Sequence, residues 1–487
     1  MGMRFSPASK IVAIAFGSGS LWMMAACAAP PASEEIGALD SQRPNVLLVT
    51  FCTMRADRFG AYGDRQLTPT IDALARQGAV FRNHYTQASF SGASFASIIT
   101  GKYPFHHGIY DHPRRLEDDN VTLAERFHEA GYATGGFLTH TYLRPKWNYL
   151  QGLEIYNGYD LSRLSVQALS NRKVGTGGDQ VREALKWVSR IGDRPLFIWF
   201  QIGLSHYFPK ARPPFLQEGD FLAARAFKRR TEGLTAAQRM FSFESLGVLP
   251  EEREGYLAVY DAAVAKSDHL LGRLITGLEE KDRFANTIVV VTADHGETLG
   301  EKGLFSTHDS NLLEPTIQIP LVLRLPGGEP GEIRAVTRNI DLTPTLASLA
   351  GLEPPADSDG VSLVPLLDGE ELNLSAFSET RPKVAERGEF DRYRLRVPGI
   401  EGKLRSVRRD TYKLTVFPTP EGYELELYDL ALDPSESTNL ATELPEVAHR
   451  MATELGEWFA GYADADITPL ELEAEDLKSL RALGYID

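Results

Sequence analysis

The sequence predicts an α/β protein: a large, mostly parallel sheet sandwiched by helices, followed by a small C-terminal α+β subdomain. Three observations predict it. Short runs at 45–51, 195–203, 287–292 and 319–325 are almost uniformly apolar and rich in Val, Ile, Leu and Phe, the pattern of strands buried on both faces. Stretches of helical periodicity separate these runs, which implies helices covering a parallel sheet. From about residue 376 the pattern changes to short alternating runs joined by turns and closed by one helix. A chain of 487 residues is also too long for one small core and suits one large domain with a smaller one.

Taken in order, residues 1–26 are a targeting segment. Arg4 and Lys10 precede an apolar stretch at 11–24 that Gly17-Ser18-Gly19-Ser20 interrupts, too short for a permanent membrane span. The following Met24-Ala25-Ala26-Cys27 resembles a bacterial lipobox, in which Cys27 becomes the acylated first residue of the mature chain. Plain cleavage near Ala26 is the alternative. Residues 27–42, rich in Ala, Pro, Ser and acids, read as a flexible tether. The expectation is an exported lipoprotein anchored in a membrane and facing the periplasm or the cell surface. Its main domain would span 43–375 and its subdomain 376–487.

Within the main domain, 45–51 reads as a strand. Thr68-Pro69 starts a helix through 71–77, with Pro at its first turn and Gly78 just past its end. Residues 123–130 form a short helix stopped by Gly131, and 254–280 a long one. In the subdomain, 404–408, 412–417 and 424–428 read as antiparallel strands and 446–462 as a helix. Active sites of such sheets gather beyond the carboxyl ends of strands. Two such ends are Phe51-Cys52 and Ala293-Asp294-His295.

The formal net charge of -15 argues against a nucleic-acid surface, although one local cation can still hold a small anion. Of the two cysteines, a lipidated Cys27 leaves Cys52 without an intrachain partner. Cys52 is then either a small buried hydrophobe or a functional thiolate. Asp294 and His295, just past a buried strand, offer one carboxylate and one imidazole, good ligands for a divalent cation. The alternative is a strand-end turn with Asp capping a helix.

Several segments, in this order and spacing, resemble the sulfatase family of the alkaline-phosphatase superfamily. They are the strand at 43–50, Thr53-Met54-Arg55-Ala56-Asp57, Gly60-Ala61-Tyr62-Gly63, the helix at 68–75 and Asp294-His295-Gly296-Glu297. Further along come 341–351, Asp359-Gly360-Val361-Ser362-Leu363, Leu427-Tyr428-Asp429-Leu430, Asp433-Pro434, Thr438-Asn439-Leu440 and the ending at 481–485. The resemblance implies hydrolysis of sulfate or phosphate esters, with an anionic ester as substrate. One divalent metal neutralises the oxyanion, and the nucleophile is a formylglycine or an unmodified Ser or Thr.

Counting back from Ile98-Ile99-Thr100-Gly101 places the nucleophile at Ser91, with a plain helix N-cap as its alternative role. Phe95 stands where the family motif has Arg, so formylglycine is not expected at Ser91. Cys52 stands where the family has an Asp ligand, and Thr53 where some members have a second. A neutral thiol cannot balance Ca²⁺ or Mg²⁺, whereas a thiolate with Asp294 and His295 would suit Zn²⁺ or Mn²⁺. The metal is thus either changed or lost. His206 and His308 match family histidines and would serve as oxyanion contacts or leaving-group acid. Lys302 and His140 are weaker matches to substrate-facing positions. Two rival readings stay open: a catalytically impaired binding protein, and a phosphodiesterase or phosphotransferase using unmodified Ser91.

Overall fold

Val46, Leu47, Leu48 and Val49 are completely buried, which is why an unbroken apolar run forms a central strand rather than an edge. The structure, a computed structural model, describes residues 43–111, 114–163, 177–203, 214–231, 248–381, 403–419 and 422–460. The strands of the large sheet are β1 (Asn45–Phe51), β2 (Ala79–Tyr85), β3 (Ala133–Leu138), β4 (Ile155–Tyr156), β5 (Tyr159–Asp160), β6 (Leu196–Ile202), β7 (Thr287–Ala293), β8 (Leu321–Arg324) and β9 (Gly331–Arg338). Their spatial order is β5-β4-β3-β6-β1-β7-β8-β2-β9. Pairing through β3, β6, β1 and β7 is parallel, and β8 runs antiparallel to both of its neighbours.

The helices are α1 (Pro69–Ala75), α2 (Ser91–Thr100), α3 (Pro104–His107), α4 (Leu123–Glu129), α5 (Gly177–Val188), α6 (Glu218–Thr231), α7 (Pro250–Glu279), α8 (Glu314–Ile317), α9 (Leu342–Leu349), α10 (Val364–Leu367) and α11 (Pro445–Ala460). Alternation along the strands divides them into two layers. Val46, Leu48, Trp199 and Val290 face a core shared with Phe95, Phe127 and Leu346. Leu47, Val49, Phe51, Ile198 and Val291 face one shared with Leu271, Leu274 and Leu278 of α7. Each such fully buried side chain contributes roughly 1.5–3 kcal/mol. This is the expected mostly parallel sheet between helical layers.

Two local expectations are corrected. Gly78 is not a left-handed helix stop, because α1 ends at Ala75 with Arg76 as its C-cap. Glycine is needed there for another reason: a Cβ would lie 2.3 Å from the Leu323 carbonyl oxygen, so the chain crosses β8 too closely for any side chain. α7 starts four residues earlier than expected, with Pro250 in its first turn.

The second sheet is antiparallel, β10 (Ala376–Glu379), β11 (Arg405–Arg409), β12 (Tyr412–Thr419) and β13 (Gly422–Asp429), in that order. α11 lies on it through Met451 and Leu455, which join Val407, Leu414 and Leu427 and also Tyr103, Phe105 and Ile340. Lys413 of β12, completely buried, lies 2.6 Å from Glu436 and 3.5 Å from Glu314 of α8, and within the second sheet Lys403 lies 2.6 Å from Glu379.

Candidate active site

The parallel register that sets Phe51 opposite Ala293 carries the next residues, Cys52 and Asp294, to the same edge of the sheet. The Asp294 amide donates to the Phe51 carbonyl (3.0 Å), and that of Cys52 to Ile202 (3.0 Å). Asp294 Oδ1 accepts the Thr53 amide at 2.8 Å and the His295 amide at 2.7 Å. Its other oxygen, Oδ2, is buried and has no hydrogen-bond partner.

Thr53 holds φ at 56°, the left-handed region that a β-branched residue strongly disfavours. Two bonds keep it there: its amide to Asp294, and its carbonyl accepting the Tyr260 hydroxyl at 2.8 Å.

Ser91 is the first residue of α2, not its N-cap. That position belongs to Phe90, which is extended and offers no side-chain cap. The Ser91 hydroxyl lies 3.1 Å from His295 Nε2 and 3.6 Å from Cys52 Sγ. His295 Nδ1 is 2.8 Å from the Gly296 carbonyl. A carbonyl can only accept, so the proton sits on Nδ1 and Nε2 presents its lone pair to Ser91. Burial lowers the His295 pKa, against the pull of Asp294, which keeps the ring neutral. Gly296 is required beside it, since a Cβ would meet the Pro315 carbonyl oxygen at 1.9 Å.

His308 stacks on His295 with centroids 4.4 Å apart. Burial would lower its pKa, but the Glu297 carboxylate, 3.3 Å from Nδ1, reverses this and the net shift is upward. Glu297 is thus a site residue that the sequence reading overlooked, though it stands in the same Asp-His-Gly-Glu segment. Burial, and then the charge of Asp294, push the Cys52 thiol well above its ordinary range, so it is a neutral thiol.

His140 is buried, its Nδ1 accepts the Tyr142 amide at 3.2 Å, and burial brings its pKa to about 4. Its ring packs on Phe95 at 5.5 Å, and Phe95 in turn on Trp199 at 6.1 Å. An aromatic stack therefore fills the place of the expected guanidinium. Lys302 is not brought into this group. Its ammonium bonds the Glu436 carbonyl and lies 5.4 Å above the Tyr428 ring, on the second sheet. His206 and Cys27 lie outside the described residues.

The expected metal meets a poor fit. Among the described residues no three His, Cys, Asp or Glu side chains are placed to hold an ion. Cys52 offers a sulfur where a hard cation takes oxygen, one oxygen of Asp294 is used by two amides and the other lies 3.5 Å from His295 Nε2, and that nitrogen is turned to a serine hydroxyl. A hard dication prefers several charged oxygens, and here a single carboxylate remains. A separate cavity of about 660 Å³ is lined by Glu125, His128, Glu154, Asp160, Trp187 and Arg194. It shares no residue with the Ser91 group, and its acidic wall does not suit an anion.

The fold is an α/β sheet with a serine–histidine pair at its strand ends. The family model described as Sulfatase matches residues 44–352, and that described as N-sulphoglucosamine sulphohydrolase, C-terminal, matches 300–459. The chain belongs to the sulfatase family. It is 27% identical over 451 residues to a choline-sulfatase of Rhizobium meliloti, covering 82% of each chain. It is 23% identical over 418 residues to Arylsulfatase K of Xenopus laevis, covering 80% of this chain and 77% of the relative. Among solved structures it resembles the phosphonate monoester hydrolase of Agrobacterium radiobacter, with a TM-score of 0.66, 22% identity, and coverage of 89% and 99%.

Proposed function

We propose that this chain is an exported hydrolase of anionic sulfate or phosphate esters that uses Ser91, unmodified, as nucleophile and neutral His295 as its base. One observation carries the reading: the 3.1 Å approach of Ser91 Oγ to an imidazole nitrogen whose lone pair is fixed toward it by the Gly296 carbonyl. A nucleophile, a base in reach and a third group orienting the base form the general pattern of covalent catalysis.

In this mechanism His295 Nε2 takes the Ser91 proton, and the oxygen attacks phosphorus or sulfur. The bond to the ester oxygen breaks, and His308, whose protonated form Glu297 favours, gives that oxygen a proton. Water then hydrolyses the serine adduct. The positive end of the α2 dipole, at Ser91, favours developing negative charge there. Phosphorus esters are favoured over sulfate esters, because a sulfo-serine lacks the geminal hydroxyl that helps a formylglycine expel sulfate. The choline-sulfatase and phosphonate monoester hydrolase relatives support ester hydrolysis as the reaction class.

A second reading, a non-catalytic binding member, is favoured by Phe95 and Cys52, which remove two charges from the site. The test is an assay of the mature chain on aryl sulfate, aryl phosphate, phosphodiester and phosphonate monoester panels. Turnover of phosphorus esters that drops by about 10³-fold or more in Ser91→Ala is the expected result. No turnover of any ester by a correctly folded chain would favour the binding protein.

A further inference from the structure

The site pairs one carboxylate with groups that cannot satisfy a hard cation. Asp294 Oδ2 is buried, makes no hydrogen bond and lies 3.5 Å from His295 Nε2, so a carboxylate oxygen and an imidazole nitrogen face each other with no positive charge between them. Thr53, beside it, keeps a backbone at φ 56° that Asp, Asn or Gly adopts far more readily. The main chain therefore retains the shape of a carboxylate-bearing loop, while the side chain at 53 is a hydroxyl and that at 52 a buried thiol. The two groups that remain are spoken for: Asp294 Oδ1 by two amides and His295 Nε2 by Ser91.

We infer that this chain has exchanged the hard dication for an internal hydrogen-bond network. In this state His295 Nε2 is free of metal and acts on the Ser91 hydroxyl, and hard-cation binding returns when carboxylates are placed at 52 and 53. This rests on the reading of His295 as the base of Ser91. Its physical basis is ligand charge. One carboxylate and a neutral imidazole give a dication a single compensating charge, whereas Cys52→Asp with Thr53→Asp would give three, on adjoining strand ends already held in register by Asp294 N to Phe51 O.

The experiment reads metal rather than turnover. The mature wild-type chain is incubated with excess Ca²⁺, Mg²⁺ or Zn²⁺, desalted, and its metal measured by plasma mass spectrometry. Its Tm is then compared in EDTA and in Ca²⁺. Expected are no stoichiometric metal and the same Tm in both buffers. The Cys52→Asp/Thr53→Asp variant should gain one Ca²⁺ per chain and a calcium-dependent rise in Tm. Stoichiometric Ca²⁺ or Mg²⁺ in the wild type, lost in EDTA with a fall in Tm, would overturn the inference. So would stoichiometric Zn²⁺ that disappears in Cys52→Ser, or a folded double variant that ignores Ca²⁺. Should the double variant fail to fold, the wild-type metal content decides alone. A metal-free wild type that hydrolyses no ester would remove the Ser91 reading while leaving the exchange intact, so the two failures are distinguishable.

Discussion

At Thr53 the site stores strain of the kind that persists only where surrounding bonds over-determine a conformation, on the order of 1–3 kcal/mol. Asparagine tolerates φ near 56° and keeps a polar side chain, so Thr53→Asn is expected to raise the denaturation midpoint, by about 1 kcal/mol in stability. A fall in the midpoint would show that the Thr53 hydroxyl, 3.3 Å from Cys52 Sγ, contributes more than the strain costs. Cys52, Asp294 and His295 were legible as residues at strand ends, whereas Ser91 and His308 came only through the family resemblance. Their states were not legible. The tautomer of His295 depends on a carbonyl one residue on, the upward shift of His308 on Glu297, and the direction of Lys302 on the Glu436 carbonyl in the loop after β13. None of these partners announces itself through spacing.

Two elements carry histidines that report on acid stability. His84 on β2 lies 3.0 Å from Thr337 Oγ1 and 3.0 Å from Asn339 Oδ1. His107 at the end of α3 accepts the Ile109 amide and lies 3.1 Å from Ser97 Oγ. Each is satisfied as the neutral ring, and burial first of all drives each pKa from 6.5 down to about 3. Between those values the unfolded chain binds a proton that the folded chain refuses, so stability falls as pH drops from about 6.5, by up to ~1.4 kcal/mol per unit for each ring. Urea midpoints measured from pH 7 to 4 should fall less steeply in His107→Gln than in wild type, and equal slopes would contradict the assignment. The buried Lys413 makes a sharper point. Removing it leaves Glu436 and Glu314 facing each other without a cation, so Lys413→Ala should cost about 3–5 kcal/mol, read as a loss of folded chain in calorimetry. The strands and long helices were legible from apolar runs and periodicity. The starts of α1 and α4 were legible too; the start of α7 and the role of Gly78 were not, since they depend on Pro250 and on the approach of a distant strand.

For the whole molecule, the large sheet and the appended antiparallel sheet follow from where β-branched runs alternate with helices and where they cease to. The antiparallel direction of β8 was not legible, because an apolar run such as 319–325 has no directional signature. Among the described residues no helix is long and apolar enough to cross a membrane; the lipobox reading of Cys27 carries its own prediction. The expected outcome is that the cell-made protein fractionates with membranes and Cys27→Ser releases it; an unmodified Cys27 in a soluble wild-type protein would contradict this. The central claim, a serine nucleophile served by a histidine, is tested most directly at one peptide. The mature chain is quenched during turnover of an aryl phosphate, digested, and the peptide containing Ser91 is weighed and sequenced by mass spectrometry. The account predicts an unaltered serine in the resting protein and phosphoserine at 91 in the quenched sample. A residue two hydrogens lighter at 91 in the resting protein, or turnover with the phosphoryl group on any other residue, would contradict it.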